Sequence, residues 1–260
     1  QLAMASMPVK RGKTNLSIRQ ERLQVRGIRI SEKGNLDNNK IRTIQLEDLK
    51  RLPETSDEIK SIATVFSADP DQDVFLGVRA SENRIKGMDL TDRRIIVFAS
   101  HALIPGDLDG LIQPAIALCS PSVTGEDEDG LLTMGEVLKL KLNADWVVLS
   151  SCNSGGSDGR GAEALSGLGQ AFFYAGAKAL LATMWPVEST SAQRLTTGLF
   201  QYQKDDIKLT RAQALRKSML DMIDSSGLKD NATGKIVASY AHPLFWAPFI
   251  LVGDSGTDIN

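Results

Sequence analysis

The chain has 260 residues, 42% of them hydrophobic and 24% charged, with a formal net charge of −2, a balance expected of a soluble globular protein rather than a disordered or membrane one. No apolar run reaches the roughly 20 residues needed to span a bilayer, and the first residues lack the basic-then-apolar order of a secretory leader. Two cysteines exclude a disulfide scaffold and a cysteine-rich zinc site, and with only His101 and His242 as nitrogen ligands no metal or cofactor is expected.

The same cysteine usage points to a reducing, cytoplasmic compartment. Because the chain opens on Gln1 rather than Met, a domain excised from a longer protein is expected. Charge is spread unevenly. Residues 1–42 carry ten Lys/Arg against three acids, a local +7, which leaves −9 for the remainder. A basic segment can contact nucleic acid, but no aromatic side chain precedes Phe66 to stack on a base. A solvated insertion or a docking face for an acidic partner is therefore the preferred reading. Residues 1–45 are read as a basic N-terminal strand (within Gln1–Val9) and insertion, part of or leading into a main domain of residues 46–260.

In chain order, Ile59, Ile62, Ala63 and Phe66 form the i, i+3, i+4, i+7 stripe of an amphipathic helix from Ser56 to Phe66, with Pro53 just upstream. A strand follows over Asp73–Val78, then a helix capped by Ser81 and running to Met88. Arg94–Ala99 is a core strand that delivers Ser100 and His101 at its carboxyl end. The run into Cys119 reads as a strand entering a loop. Thr133 and Glu136 form a capping-box signature for a helix to about Leu142. Trp146–Leu149 is a β-branched apolar run bounded by polar residues and glycines, the pattern of a buried parallel strand. It leads to Ser150, Ser151 and Cys152, and then into a helix over Gly161–Ala175 that Gly176 terminates. A strand at Lys178–Met184, helices at Ser189–Tyr202 and Thr210–Asp224, and a last strand at Phe245–Val252 complete the chain. Strands alternating with helices in this way predict a three-layer α/β/α sandwich around a doubly wound, mostly parallel sheet.

In open α/β sheets reacting groups collect at the carboxyl ends of strands. His101 and Cys152 each end a core strand, in matching contexts of four apolar residues followed by small polar ones. If those strands are neighbours, both side chains open onto one edge, and the imidazole can activate the thiol as a nucleophile. The separation of 51 residues is close to the roughly 50 by which a histidine precedes its cysteine in caspases. The backbone N–H groups of Cys152 and of Ala102 are the natural oxyanion donors. Cys119 is assigned to packing, and His242, beside Pro243, to a structural turn. Gly167 and Gly169 lie inside a helix, without the strand-then-glycine context of a nucleotide loop. The acidic loop 125–130 is read as solvated, with a basic-substrate attractor or a calcium-like oxygen cluster as alternatives.

From about residue 46 to 254 the sequence resembles the CHAT domain, a branch of the caspase- and separase-like cysteine peptidases. The resemblance rests on Val97-Phe-Ala-Ser-His-Ala102, Leu108-Asp-Gly-Leu111, Asp129-Gly-Leu-Leu-Thr133 with Gly135-Glu-Val137, and Ala144-Asp-Trp-Val-Val-Leu-Ser-Ser-Cys-Asn153. It continues through Gly161-Ala-Glu-Ala-Leu165, Phe172-Phe-Tyr-Ala-Gly-Ala177, Met184-Trp-Pro-Val187 and His242-Pro-Leu-Phe-Trp246. It implies a caspase-like fold, His101 as base and Cys152 as nucleophile. It also implies cleavage of a specific partner protein under allosteric control in a bacterial defence or cell-death-like pathway, and fusion to or association with TPR or other helical repeats. The family often has His-Gly where this chain has His101-Ala102, and alanine keeps the backbone donor while restricting positive φ. Relatives build the pocket for the substrate side chain from segments that here contain Asp145, Trp185 and Glu188. An acid there favours Arg or Lys, and an aromatic lining favours an apolar residue. The alternatives are a catalytically idle interaction module on a peptidase fold and, with no suitable glycine loop to support it, a phosphate-binding α/β protein.

Overall fold

The structure, a computed structural model, describes residues 2–5, 44–150, 160–229 and 233–256. In chain order the elements are β1 (Leu2–Ala5), α1 (Thr55–Val65), β2 (Val74–Leu76), α2 (Glu82–Gly87), β3 (Ile95–Ala99), β4 (Ala102–Leu103), β5 (Ala115–Ala117), α3 (Pro121–Thr124) and β6 (Leu131–Thr133). They continue with α4 (Met134–Val137), β7 (Trp146–Leu149), α5 (Arg160–Ala175), β8 (Ala179–Thr183), α6 (Ser189–Asp205), α7 (Arg211–Ile223), β9 (Leu228–Lys229), β10 (Ile236–Ala238) and β11 (Phe249–Gly253). Among the described residues the central sheet has the order β11-β8-β7-β3-β1-β2, and every pairing is parallel except that of β11 with β8. Smaller antiparallel sheets, β4-β5-β6 and β9-β10, flank it.

The period-2 alternation of the strands builds two cores at once. Val97, Ala99, Trp146, Val148, Ala179 and Leu181 face one side, where α1, α6 and α7 contribute Ile59, Ile62, Leu195, Phe200 and Leu215. Ile96, Phe98, Val147, Leu149, Leu180 and Ala182 face the other, against Ile85 of α2 and Leu168, Ala171 and Phe172 of α5. This is the expected three-layer α/β/α sandwich. Its centre on the second face is the pair Phe98–Phe172, with ring centroids 5.6 Å apart; truncating either ring to Ala costs about 3–5 kcal/mol at such sites. On the first face the Trp146 indole donates to Gln203 at 2.8 Å, which satisfies both polar groups in the core.

Gly169 lies in α5 as expected, where an added Cβ would come within 2.8 Å of Leu180 Cδ2, so it serves close helix–sheet packing. The predicted helix from Thr133 to Leu142 is a single turn, Met134–Val137, although its capping box forms. The Leu142 amide donates to the Ala175 carbonyl at 2.7 Å, and the Leu142 carbonyl fills the space beside Gly176 where a Cβ would sit. Docking against the end of α5 thus draws the chain out of helix. The last strand begins at Phe249 rather than Phe245, because Pro243 opens a single 3-10 turn capped by His242 and Pro248 has no N–H for the ladder.

Candidate active site

β3 and β7 are parallel neighbours with Phe98 opposite Leu149, and β7 and β8 are parallel neighbours with Leu149 opposite Ala182. His101, Cys152 and Trp185 each stand three residues beyond one of these paired positions. Pairing of the first two strands extends to Ser150, whose N–H donates to Phe98 at 2.9 Å. The register therefore directs His101 and the chain leading to Cys152 to the same carboxyl edge. Cys152 itself lies outside the described residues.

His101 is buried between the end of β3 and the start of β4. Its Nε2 is 2.6 Å from the backbone carbonyl of Lys50. A carbonyl oxygen accepts only, so Nε2 carries a proton and donates to it. Nothing in the sequence pointed to Lys50, because a backbone carbonyl leaves no mark in residue identity. Its placement follows from packing. Leu46 and Leu49 pack with Leu103, Leu108, Leu111, Ala115 and Ala117 over the β4-β5-β6 sheet. Ser120 donates to Glu47 and holds that carboxyl below the ordinary range. The segment that leads into the carbonyl that orients the imidazole is thus pinned.

Ala102 opens β4 opposite Ile116, and the Ala117 N–H donates to the His101 carbonyl at 2.8 Å. In an antiparallel ladder this makes Ala102–Ile116 a non-hydrogen-bonded pair, so the Ala102 N–H points away from β5. Among the described residues Ser67 alone has positive φ without being glycine. Alanine in place of the family's frequent glycine therefore carries no backbone strain here.

Of the three residues proposed to line the substrate pocket, Trp185 and Glu188 follow β8 at the carboxyl edge, whereas Asp145 precedes β7 at the amino edge. Trp185 is 40% exposed. Glu188 is buried and caps α6, accepting from the amides of Thr190 at 2.9 Å and Ser191 at 2.7 Å. Asp145 accepts from Arg94 at 2.5 Å and Lys178 at 2.9 Å, with Arg211 3.7 Å away. Burial raises its carboxyl, but the hydrogen bonds from Lys178 and Arg94 outweigh that and hold it below the usual range. The structure does not bring Asp145 to the edge that holds His101.

A family model described as CHAT domain matches residues 10–254. The chain belongs to the CHAT domain family. Its fold is the caspase-like α/β arrangement, and the family match reaches upstream of residue 46 into the basic segment. This CHAT chain is also 31% identical over 124 residues to tetratricopeptide repeat protein 28 of Mus musculus, a stretch covering 47% of the chain and 4% of that protein. The chain thus spans a small fraction of the length of this relative.

Other residues singled out in the sequence take structural places in the CHAT fold. Cys119 is buried, its N–H donates to Ala80 at 3.0 Å, and burial pushes its thiol up to about 11. His242 accepts from the Leu244 amide at 3.1 Å within its turn. The acidic loop is solvated only in part: Asp127 and Asp129 are exposed, but its other acids are docked. Glu126 accepts from Ser81 at 2.9 Å, and the Gly130 amide donates to Glu82 at 2.9 Å. Glu82, Glu128 and Glu136 converge, and the Lys86 ammonium lies 3.1, 2.8 and 3.0 Å from them, at the centre where a cation would sit. No helix among the described residues is long and apolar enough to cross a membrane.

Proposed function

We propose that this CHAT chain is a cysteine endopeptidase domain in which His101 activates Cys152 to cleave a partner protein. The observation that carries the reading is the shared register of β3 and β7, which sends His101 and the approach to Cys152 to one sheet edge, with His101 Nε2 held by the Lys50 carbonyl. With that nitrogen protonated, Nδ1 keeps the lone pair that takes the Cys152 proton, and the same carbonyl stabilises the imidazolium that forms. The thiolate attacks the scissile carbonyl, forming a C–S bond and placing charge on oxygen. The amides of Ala102 and Cys152 are assigned as its donors. The imidazolium protonates the departing amine as the C–N bond breaks, and water then hydrolyses the thioester with His101 as base.

A reducing, cytoplasmic setting keeps the thiol available, and a defence or cell-death-like role is the one that the family resemblance implies. Tetratricopeptide or other helical repeats are proposed as a fused or associated region, on the match to a protein bearing that name. Replacing Cys152 with Ala tests the core of the proposal: substrate cleavage is expected to vanish while circular dichroism stays unchanged. Retained cleavage overturns it. A thiol-reactive peptide probe that fails to label Cys152 with or without the partner would instead identify an idle interaction module.

A further inference from the structure

The three residues that the sequence offered for substrate recognition point in opposite directions, since an acid selects Arg or Lys and an indole selects an apolar side chain. The structure separates them. Asp145 is five residues before Ser150, and at about 3.3 Å per residue in a strand this is roughly 16 Å away, at the other end of β7. There it faces three cations of its own chain, at 2.5, 2.9 and 3.7 Å. Glu188 is at the correct edge, but it is only 4% exposed and its two oxygens accept from the first amides of α6. A substrate cation would have to displace a helix cap to reach it. Glu54, brought to the same corner, accepts from the Ser189 hydroxyl at 2.8 Å.

Among the described residues, those that leave β8 at this edge present apolar surface outward. Met184 and Trp185 leave β8 36% and 40% exposed, beside the strand that leads to Cys152. The Met184 amide is tied to the Pro248 carbonyl at 2.9 Å, which fixes where the segment leaves the sheet. An indole and a thioether are large, polarisable surfaces suited to an aliphatic or aromatic side chain.

Resting on the peptidase reading above, we infer that the substrate residue on the amino side of the scissile bond is apolar, with Trp185 and Met184 as the residues that select it. The test uses the full-length protein and four fluorogenic peptides that differ only in that residue: Leu, Phe, Arg or Asp. For Leu and Phe, kcat/KM is expected to exceed that for Arg and Asp by about tenfold or more, within the range hydrophobic pockets achieve. Trp185→Ala is expected to remove most of that preference, chiefly through KM, while the rate of Cys152 alkylation by iodoacetamide stays unchanged. Trp185→Phe is expected to restore it. Preferred cleavage after Arg or Asp, or a Leu preference untouched by Trp185→Ala, overturns the inference and leaves the peptidase reading standing. Cleavage of none of the four, with no peptide-probe labelling of Cys152, brings down both. Because Trp185 is part-exposed, its variants are expected to fold, and an unchanged melting temperature verifies this.

Discussion

The two edges of the central sheet are built from the same three strands and differ in nearly everything else. At the amino edge, Asp145 gathers Arg94, Lys178 and Arg211, and Arg211 also lies 3.4 Å from Asp254 and over the Trp146 ring at 5.7 Å. Each charge there has an opposite charge within the chain. At the carboxyl edge, the described side chains beyond the strands include a buried imidazole held by the Lys50 carbonyl and a part-exposed indole. Ion pairing at one end ties the charges of the chain to one another. An imidazole and an indole at the other end are suited to exchange a proton and to receive a side chain. Perturbed carboxylates are therefore poor guides to the site in this chain: Asp145 has the carboxyl held low, yet it stands at the wrong end.

The largest effect should come from the carboxyl edge. His101→Gln keeps a donor for the Lys50 carbonyl but supplies no base, and kcat/KM measured on the partner substrate is expected to fall about 10²- to 10⁴-fold with the melting temperature little changed. An equal loss of stability and activity would make the imidazole a packing residue instead.

The amino edge should respond in the opposite way. Asp145→Asn is expected to lower stability by about 2–3 kcal/mol in urea unfolding, since the buried Arg211 loses charge-assisted pairing, with no change in peptide preference. The sign with pH follows from the lowered carboxyl. Its contribution is fully present above the ordinary value of 3.8 and is lost as pH falls through the depressed folded value. The advantage of the wild type over Asp145→Asn should therefore shrink below about pH 4 in parallel unfolding titrations. An advantage that grew on acidification would contradict the ion-pair account.

Smaller still is Glu188→Ala, which removes the α6 cap and should cost about 1 kcal/mol by thermal unfolding while leaving the preference for apolar peptides in place. A shift of preference would return Glu188 to substrate recognition. The smallest expected effect is at Cys119. Its thiol is pushed up to about 11, so iodoacetamide at pH 7.5 should modify Cys152 and leave Cys119 unlabelled by peptide mass mapping. Comparable labelling of both would remove the distinction between a reactive and a packed cysteine.

Much of the fold was legible because the core strands are continuous apolar runs and the long helices carry clear caps and stripes. Thr210 with Gln213 forms its capping box, and α1 buries Ile59 and Ile62 as its stripe required. The strands β4, β6, β9 and β10 escaped, because two or three residues are too few for a period-2 pattern to emerge, whereas β5 was legible as the apolar run into Cys119. Half of the acidic loop, Glu126 and Glu128, escaped for another reason. A run of like charges reads as solvated until the partners supplied by distant residues, Lys86 and Ser81, are in place.

By itself the sequence determined the layered α/β architecture, the family and the pairing of His101 with Cys152 as candidates, since apolar periodicity and motif order are properties of residue identity. The tertiary structure alone decided three things. One is the register of β3 on β7 and of β7 on β8, which brings His101, Trp185 and the strand that leads toward Cys152 to one carboxyl edge. Another is that the Lys50 carbonyl holds the imidazole, a contact made by backbone and therefore absent from any pattern of side chains. The last is that Asp145 and Glu188 are engaged elsewhere, because whether a carboxylate is available depends on which donors the fold has already brought to it.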